Sequence, residues 1–96
     1  VDYTLFLAIL SKLDFSSSQF SKDISTFSAG QKKKVLLARS LSQKAHLYIW
    51  DEPLNYIDIT SRGQIEALIK THAPTMIFVE HDRAFNDAVA TRIIEL

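Results

Sequence analysis

Cysteine is absent from these 96 residues, which excludes disulfides, thiolate metal sites and cysteine nucleophiles. Glycine is almost absent: only Gly30 and Gly63 occur. A Gly-x-x-x-x-Gly-Lys phosphate loop needs two glycines five positions apart, and a Gly-x-Gly-x-x-Gly fingerprint needs three, so neither can be written here. A net charge is missing too. Lys plus Arg and Asp plus Glu number 11 each, so no whole-chain field steers a ligand. Long apolar runs are lacking: residues 5–10 make a stretch of six, far short of the roughly 20 that span a bilayer. The apolar start has neither a basic leader nor a small-residue cleavage site, so no signal peptide, no membrane insertion and a cytoplasmic setting are expected. The three histidines, His46, His72 and His81, share no zinc-ligand spacing.

What is present is ordinary for one soluble globular unit, with 47% hydrophobic and 23% charged residues. A chain of this size would bury only about 60–65% of its unfolded surface, so its stability would be thin. The balanced charge hides an uneven distribution. Residues 31–48 carry Lys32, Lys33, Lys34, Arg39 and Lys44 with no acid, a net of +5, whereas residues 49–96 carry a net of −4.

Spacing then predicts the elements. Tyr3, Phe6, Leu10 and Leu13 lie three and four apart and predict a helix over 2–13, widened by Leu5, Leu7 and Ile9 to be buried on much of its circumference. Residues 14–28 combine serines with the apolar anchors Phe15, Phe20, Ile24 and Phe27, a packed loop with room for one short helical turn. Ser28 is a candidate N-cap for a helix over 29–43. Residues 46–51 predict a strand with two apolar faces, as in a parallel sheet covered on both sides. A helix over 59–72 follows, with Ile65, Leu68, Ile69 and His72 on one face. A second buried strand is expected over 75–80, a short helix capped by Asp82 through residue 90, and a third strand over 91–96. From residue 46 onward the order is strand, helix, strand, helix, strand, which defines an α/β class.

Three places carry chemistry. Asp51 and Glu52 end an apolar strand, and open α/β sheets place ligands at the carboxyl ends of their strands. Adjacent carboxylates repel unless a cation offsets them. One of them can hold Mg²⁺ through water, and the other can orient or deprotonate an attacking water. The plain alternative is a solvated loop. His81 follows the next strand, where a neutral imidazole can meet a phosphate oxygen or that water; a surface or capping residue is its alternative. Phe27-Ser28-Ala29-Gly30-Gln31 feeds a helix N-terminus, whose free amides suit an anion, although a merely capped helix reads the same way. Gly30 would let backbone approach a ligand closely. The Lys32-Lys33-Lys34 run suits RNA or a solvated face.

With these residues in view, the chain resembles ABC-type ATPases. Ser28-Ala29-Gly30-Gln31 with Val35-Leu36-Leu37-Ala38-Arg39-Ser40-Leu41 resembles their signature motif and its helix. Leu47-Tyr48-Ile49-Trp50-Asp51-Glu52 resembles the Walker B strand, Pro53-Leu54-Asn55-Tyr56-Ile57-Asp58 the D-loop, and Val79-Glu80-His81-Asp82 the H-loop. The four motifs follow the family's order, with Asp51 20 positions after Gln31, and the match covers nearly the whole chain. Ala29, Lys34, Leu54 and Tyr56 depart from the usual Gly, Arg, Thr and His. Asn55-Tyr56-Ile57-Asp58, His81-Asp82-Arg83 and residues 91–96 are most similar to the ABC-F branch, which has two ATPase domains and no membrane domain. The lysine-rich helix and residues 46–58 resemble its antibiotic-resistance, ribosome-protection members, in their second ATPase domain.

The resemblance implies the C-terminal part of a P-loop ABC ATPase domain: parallel strands with helices on both faces and the end of a helical subdomain, without the P-loop strand. Residues 1–43 would be the end of the helical subdomain and 44–96 part of the catalytic core. It implies ATP and Mg²⁺ as ligands, both needing a Walker A segment not found in these residues. Asp51 would hold the metal, Glu52 would be the catalytic base, and His81 would contact the γ-phosphate. Ser28, Gly30 and Gln31 would contact ATP held by an opposing ATPase domain, while Asn55 and Asp58 would link the two sites. The ribosome is the expected partner. Without the P-loop strand, strand 91–96 would lack its neighbour, and strand 75–80 would show an open edge prone to self-association. By itself the chain would be an inactive fragment. A transporter's ATP-binding subunit and a non-catalytic interaction module are the competing expectations.

Overall fold

The computed structural model describes residues 2–15 and 22–94. Helix α1 spans Tyr3–Lys12. Asp2 starts it, its carboxylate accepting from the Leu5 amide at 3.0 Å. Asp14, at φ 67°, turns the chain out of it. Ile9 and Leu10 are buried, with Leu13 and Phe15 just beyond. The expected stripe is shifted: Tyr3 is exposed, and Leu5 and Leu7 are only half-buried, so the helix hides one face rather than most of its circumference. Of the expected loop anchors, Phe20 lies outside the described residues. A 3₁₀ turn occupies Ile24–Thr26, capped by Asp23. Ile24 is exposed there, while Phe27 meets Phe15 edge-on with ring centres 5.6 Å apart.

Helix α2 spans Ala29–Ser42. Ser28 and Gln31 form a reciprocal capping box: the Ser28 hydroxyl accepts from the Gln31 amide at 3.1 Å, and the Gln31 side chain accepts from the Ser28 amide at 2.9 Å. Leu37, Ala38 and Leu41 form its buried face, and α1 packs on it. Each buried leucine here contributes about 1.5–3 kcal/mol. The Asp2 amide bonds the Ser42 carbonyl at 3.1 Å, closing the start of α1 onto the end of α2.

Strands β1 (Tyr48–Asp51) and β2 (Met76–Val79) pair in parallel, with Tyr48 opposite Met76 and Asp51 opposite Val79. Tyr48, Trp50, Met76 and Phe78 turn inward. The Trp50 indole donates to the Ser40 hydroxyl at 2.8 Å, and Phe78 packs edge-on against Phe85. The expectation of cover on both faces is met on one face only. Leu47, Ile49, Ile77 and Val79 point to solvent, Ile49 at 72% and Ile77 at 58% exposure. Nothing among the described residues packs over them.

Helix α3 spans Ile59–His72, as spacing predicted. Asp58 caps it, accepting from the Ser61 amide and hydroxyl at 3.1 and 2.8 Å. Ala73, in the left-handed region at φ 44°, ends it just before Pro74. Helix α4 spans Arg83–Val89 with Asp82 as its cap. The expected third strand does not form: residues 91–94 lie outside any strand, with Ile93 and Ile94 exposed, and residues 95–96 lie outside the described residues. A strand needs a neighbour for its backbone N–H and C=O groups, and this segment has none among the described residues. The buried side chains of α1, α2, β1, α3 and α4 form one continuous core.

Candidate active site

Parallel pairing brings the carboxyl ends of β1 and β2 to one edge, because Asp51 sits opposite Val79. Two loops leave that edge. The first begins at Glu52, whose amide bonds the Val79 carbonyl at 2.7 Å and extends the ladder by one bond. Glu52 then adopts φ 47°, which bends the chain sharply before Pro53. Tyr56 is left-handed as well, at φ 68°. Such non-glycine conformations cost about 1–3 kcal/mol each and persist only where the surroundings hold them. Here the holders are visible: the Asn55 amide bonds the Glu52 carbonyl, the Ile57 amide bonds the Leu54 carbonyl, and Leu54 and Ile57 are buried.

This bend aims Glu52 at the second loop. Its carboxylate lies 3.4 Å from His81 Nε2 through Oε1, and Oε2 accepts from the Asn55 amide group at 2.9 Å. The expected base and the expected phosphate-contacting histidine are therefore neighbours. Asn55, expected to reach across an interface, has a partner within the chain. Asp51 is exposed at the strand end and has no hydrogen-bond or ion-pair partner for its side chain among the described residues. No three His, Cys, Asp or Glu side chains converge into a metal cage among them. A free carboxylate of this kind fits a magnesium ion that keeps most of its water shell.

The same 52–58 loop touches the start of α2 on its far side. A cavity of about 410 Å³ is lined by Ser28, Ala29, Gly30, Gln31, Lys34, Tyr56 and Asp58. A Cβ on Gly30 would come within 2.6 Å of the Tyr56 carbonyl oxygen, so the close backbone approach at this glycine is to Tyr56. Lys34 Nζ lies 3.9 Å from the Asp58 carboxylate. Hydrogen bonds from the Ser61 hydroxyl and amide, with a smaller attraction from Lys34, hold the Asp58 carboxyl below the usual carboxylate range. The expected residues thus fall into two groups joined by one loop: Asp51, Glu52, Asn55 and His81 at the strand ends, and Ser28, Gly30, Gln31 and Asp58 around the cavity.

Two residues escaped sequence reasoning. Glu80 binds backbone amides of both loops, and Arg62 donates to Asp82 at 2.7 Å while its Nε bonds the Ile57 carbonyl at 3.2 Å. The Phe85 amide, and after it Arg62, lowers the Asp82 carboxyl. A carboxylate beside the expected histidine was the available signal for Glu80. Arg62 gave none, since its partners lie 5 and 20 positions away.

Comparison with known proteins gives the family. The ABC transporter family model matches residues 3–55, more than half of the chain. The chain belongs to that family, as part of its ATPase domain. Among relatives, it is 36% identical over 89 residues to the probable ATP-binding protein YbiT of Escherichia coli O157:H7, covering 93% of this chain and 17% of that protein. Protein GCN20 of Saccharomyces cerevisiae is 38% identical over 87 residues, covering 91% and 12%. ABC transporter F family member 2 of Arabidopsis thaliana is 30% identical over 89 residues, covering 93% and 13%. The chain spans about a sixth or less of these relatives' length. No helix among the described residues is long and apolar enough to cross a membrane.

Proposed function

We propose that these residues are part of the second ATPase domain of an ABC-F protein that binds and hydrolyses Mg-ATP between paired domains and acts on the ribosome in the cytoplasm, in the manner of an antibiotic-resistance factor. One observation carries the reading: Glu52 and His81 meet at 3.4 Å at the carboxyl edge of a parallel pair, with Asn55 orienting the acid. The ABC-F name of one relative supports the branch. The lysine-rich α2 and residues 46–58 support the resistance-type assignment.

Each residue has a task in this reading. Glu52 takes the proton of a water attacking the γ-phosphate, and Asn55 keeps its second oxygen occupied so that the first faces the reaction. His81 offers its imidazole to the phosphate. Asp51 holds Mg²⁺ through water, and the metal supplies charge neutralisation when bound. Ser28, Gly30 and Gln31, at the capped start of α2, face the nucleotide of an opposing ATPase domain, and Asn55 and Asp58 link the two sites. Residues 1–43 belong to a helical subdomain and 44–96 to the catalytic core. Without a phosphate loop, these 96 residues are expected to bind no ATP at micromolar concentration, and a tight one-to-one complex by calorimetry would contradict that.

The test is Glu52→Gln in the full-length protein. Nucleotide binding is expected to persist while turnover falls by about 10²–10⁴-fold, the usual worth of a positioned base. Turnover within a few-fold of the parent would refute the assignment.

A further inference from the structure

Glu80 is the residue on which both loops of the site converge. Its Oε1 accepts from the Leu54 amide at 3.2 Å, and its Oε2 accepts from the amides of His81 and Asp82 at 2.9 and 3.0 Å. Its own carbonyl accepts from the Asn86 side chain at 2.9 Å, which ties the residue to α4. One carboxylate therefore bridges the bend after β1 and the bend after β2, across 26 positions of sequence.

The bridge sits where local structure is weakest. Leu54 lies between the two left-handed residues, Glu52 at φ 47° and Tyr56 at φ 68°. Its side chain is buried, and Pro53 before it has no N–H to offer. The Leu54 amide thus depends on Glu80 to replace the water it lost. On the other loop, the His81 side chain is 83% exposed, so packing does not place the ring. Its position follows from its backbone, and that backbone amide is bound by Glu80. One carboxylate thus holds three N–H donors, at 2.9–3.2 Å.

We infer that Glu80 is a positioning residue: by binding the Leu54, His81 and Asp82 amides together, it sets the separation between the Glu52 carboxylate and the His81 imidazole. This rests on the ATPase reading of Glu52 and His81, and it adds a residue to which that reading gives no role. Glu80 touches neither nucleotide nor water in the reaction; it acts through the two loops.

The experiment compares Glu80→Ala and Glu80→Gln with the parent full-length protein. Steady-state ATPase kinetics are measured together with hydrogen–deuterium exchange of segments 52–56 and 80–83. Misplacement of catalytic groups by about an ångström costs on the order of 100-fold. We expect Glu80→Ala to lower kcat by about 10- to 100-fold with KM for ATP changing less than about threefold. Gln keeps one acceptor oxygen at the same reach and is expected to fall between Ala and the parent. In both variants the two segments should exchange faster, at least tenfold for Ala. A folded Ala variant with kcat within twofold of the parent overturns the proposal. So do unchanged exchange rates, and so does a Gln variant no better than Ala with KM rising in step. If the parent hydrolyses no ATP, the ATPase reading fails separately, and the exchange comparison still decides whether Glu80 clamps the loops.

Discussion

The two parallel strands have opposite surroundings at their carboxyl ends and on their outer face. At the ends, nearly every polar group is engaged: Glu52 by Asn55 and His81, the Leu54, His81 and Asp82 amides by Glu80, and Asp82 by Arg62. On the outer face, Leu47, Ile49, Ile77 and Val79 contact solvent. The difference lies in what each region needs. The loops are held by side chain to backbone and side chain to side chain bonds among residues 52–86, so they can take shape with the two described strands. The face needs a surface that these residues do not provide. Contiguous apolar area of this sort usually marks an interaction surface. The relatives reported above are about six times longer or more.

Substitutions on the two sides should behave differently. The largest stability effect is expected at Gly30→Ala on the polar side, since the added methyl would press a backbone carbonyl at 2.6 Å. Overpacking of this kind costs about 1–3 kcal/mol, readable as a lower urea midpoint, and an unchanged midpoint would show that the 52–58 loop moves aside freely. Ile49→Thr on the apolar face comes next. It should leave the 96 residues alone within about 0.5 kcal/mol, as for an exposed site. In the full-length protein it should cost roughly 1–2 kcal/mol, because a covered apolar side chain is lost. Equal small effects in both settings would mean that the face stays open.

Gly63→Ala bears on neither region and serves as the reference. Gly63 lies inside α3 with open space around its Cβ position, so alanine should stabilise by about 1 kcal/mol. The smallest effect is a pH dependence. Asp58 and Asp82, which flank the site loops, have carboxyl groups held below their ordinary 3.8 by hydrogen bonds, chiefly from Ser61 and Phe85 respectively. Their contribution is present above about pH 3.8 and is lost as pH falls through the lowered folded values. Asp58→Asn should flatten part of that acid limb in a melting series from pH 5 to about pH 2. A limb identical to the parent's would sink the assignment.

What could be read from sequence follows the range of the interactions involved. Helix α3 was legible from the helical spacing of Ile65, Leu68, Ile69 and His72, and the start of α2 from the Ser28 cap. Strand boundaries came out one or two residues too generous, since each strand stops where its partner does. Residues 91–94 show the same dependence in full: the β-branched Thr91, Ile93 and Ile94 are there, but no neighbouring strand is among the described residues. The proximity of Glu52 and His81 was foreseeable from their places after two adjacent strands. The role of Glu80 was not, because a bond to an amide 26 residues away leaves no spacing pattern. Gly30 was read as a point of close approach to a ligand; within the chain, the group that lies close to it is the Tyr56 carbonyl.

Trp50 has a use of its own. It is the chain's one tryptophan, it is buried, and its indole N–H is bound to Ser40 of α2 directly before Asp51. Its emission is therefore a built-in optical gauge of the junction between α2 and the strand that delivers Asp51 and Glu52. Any sliding of α2 along β1 would break that bond and let water reach the ring, shifting the fluorescence to the red without a label attached anywhere.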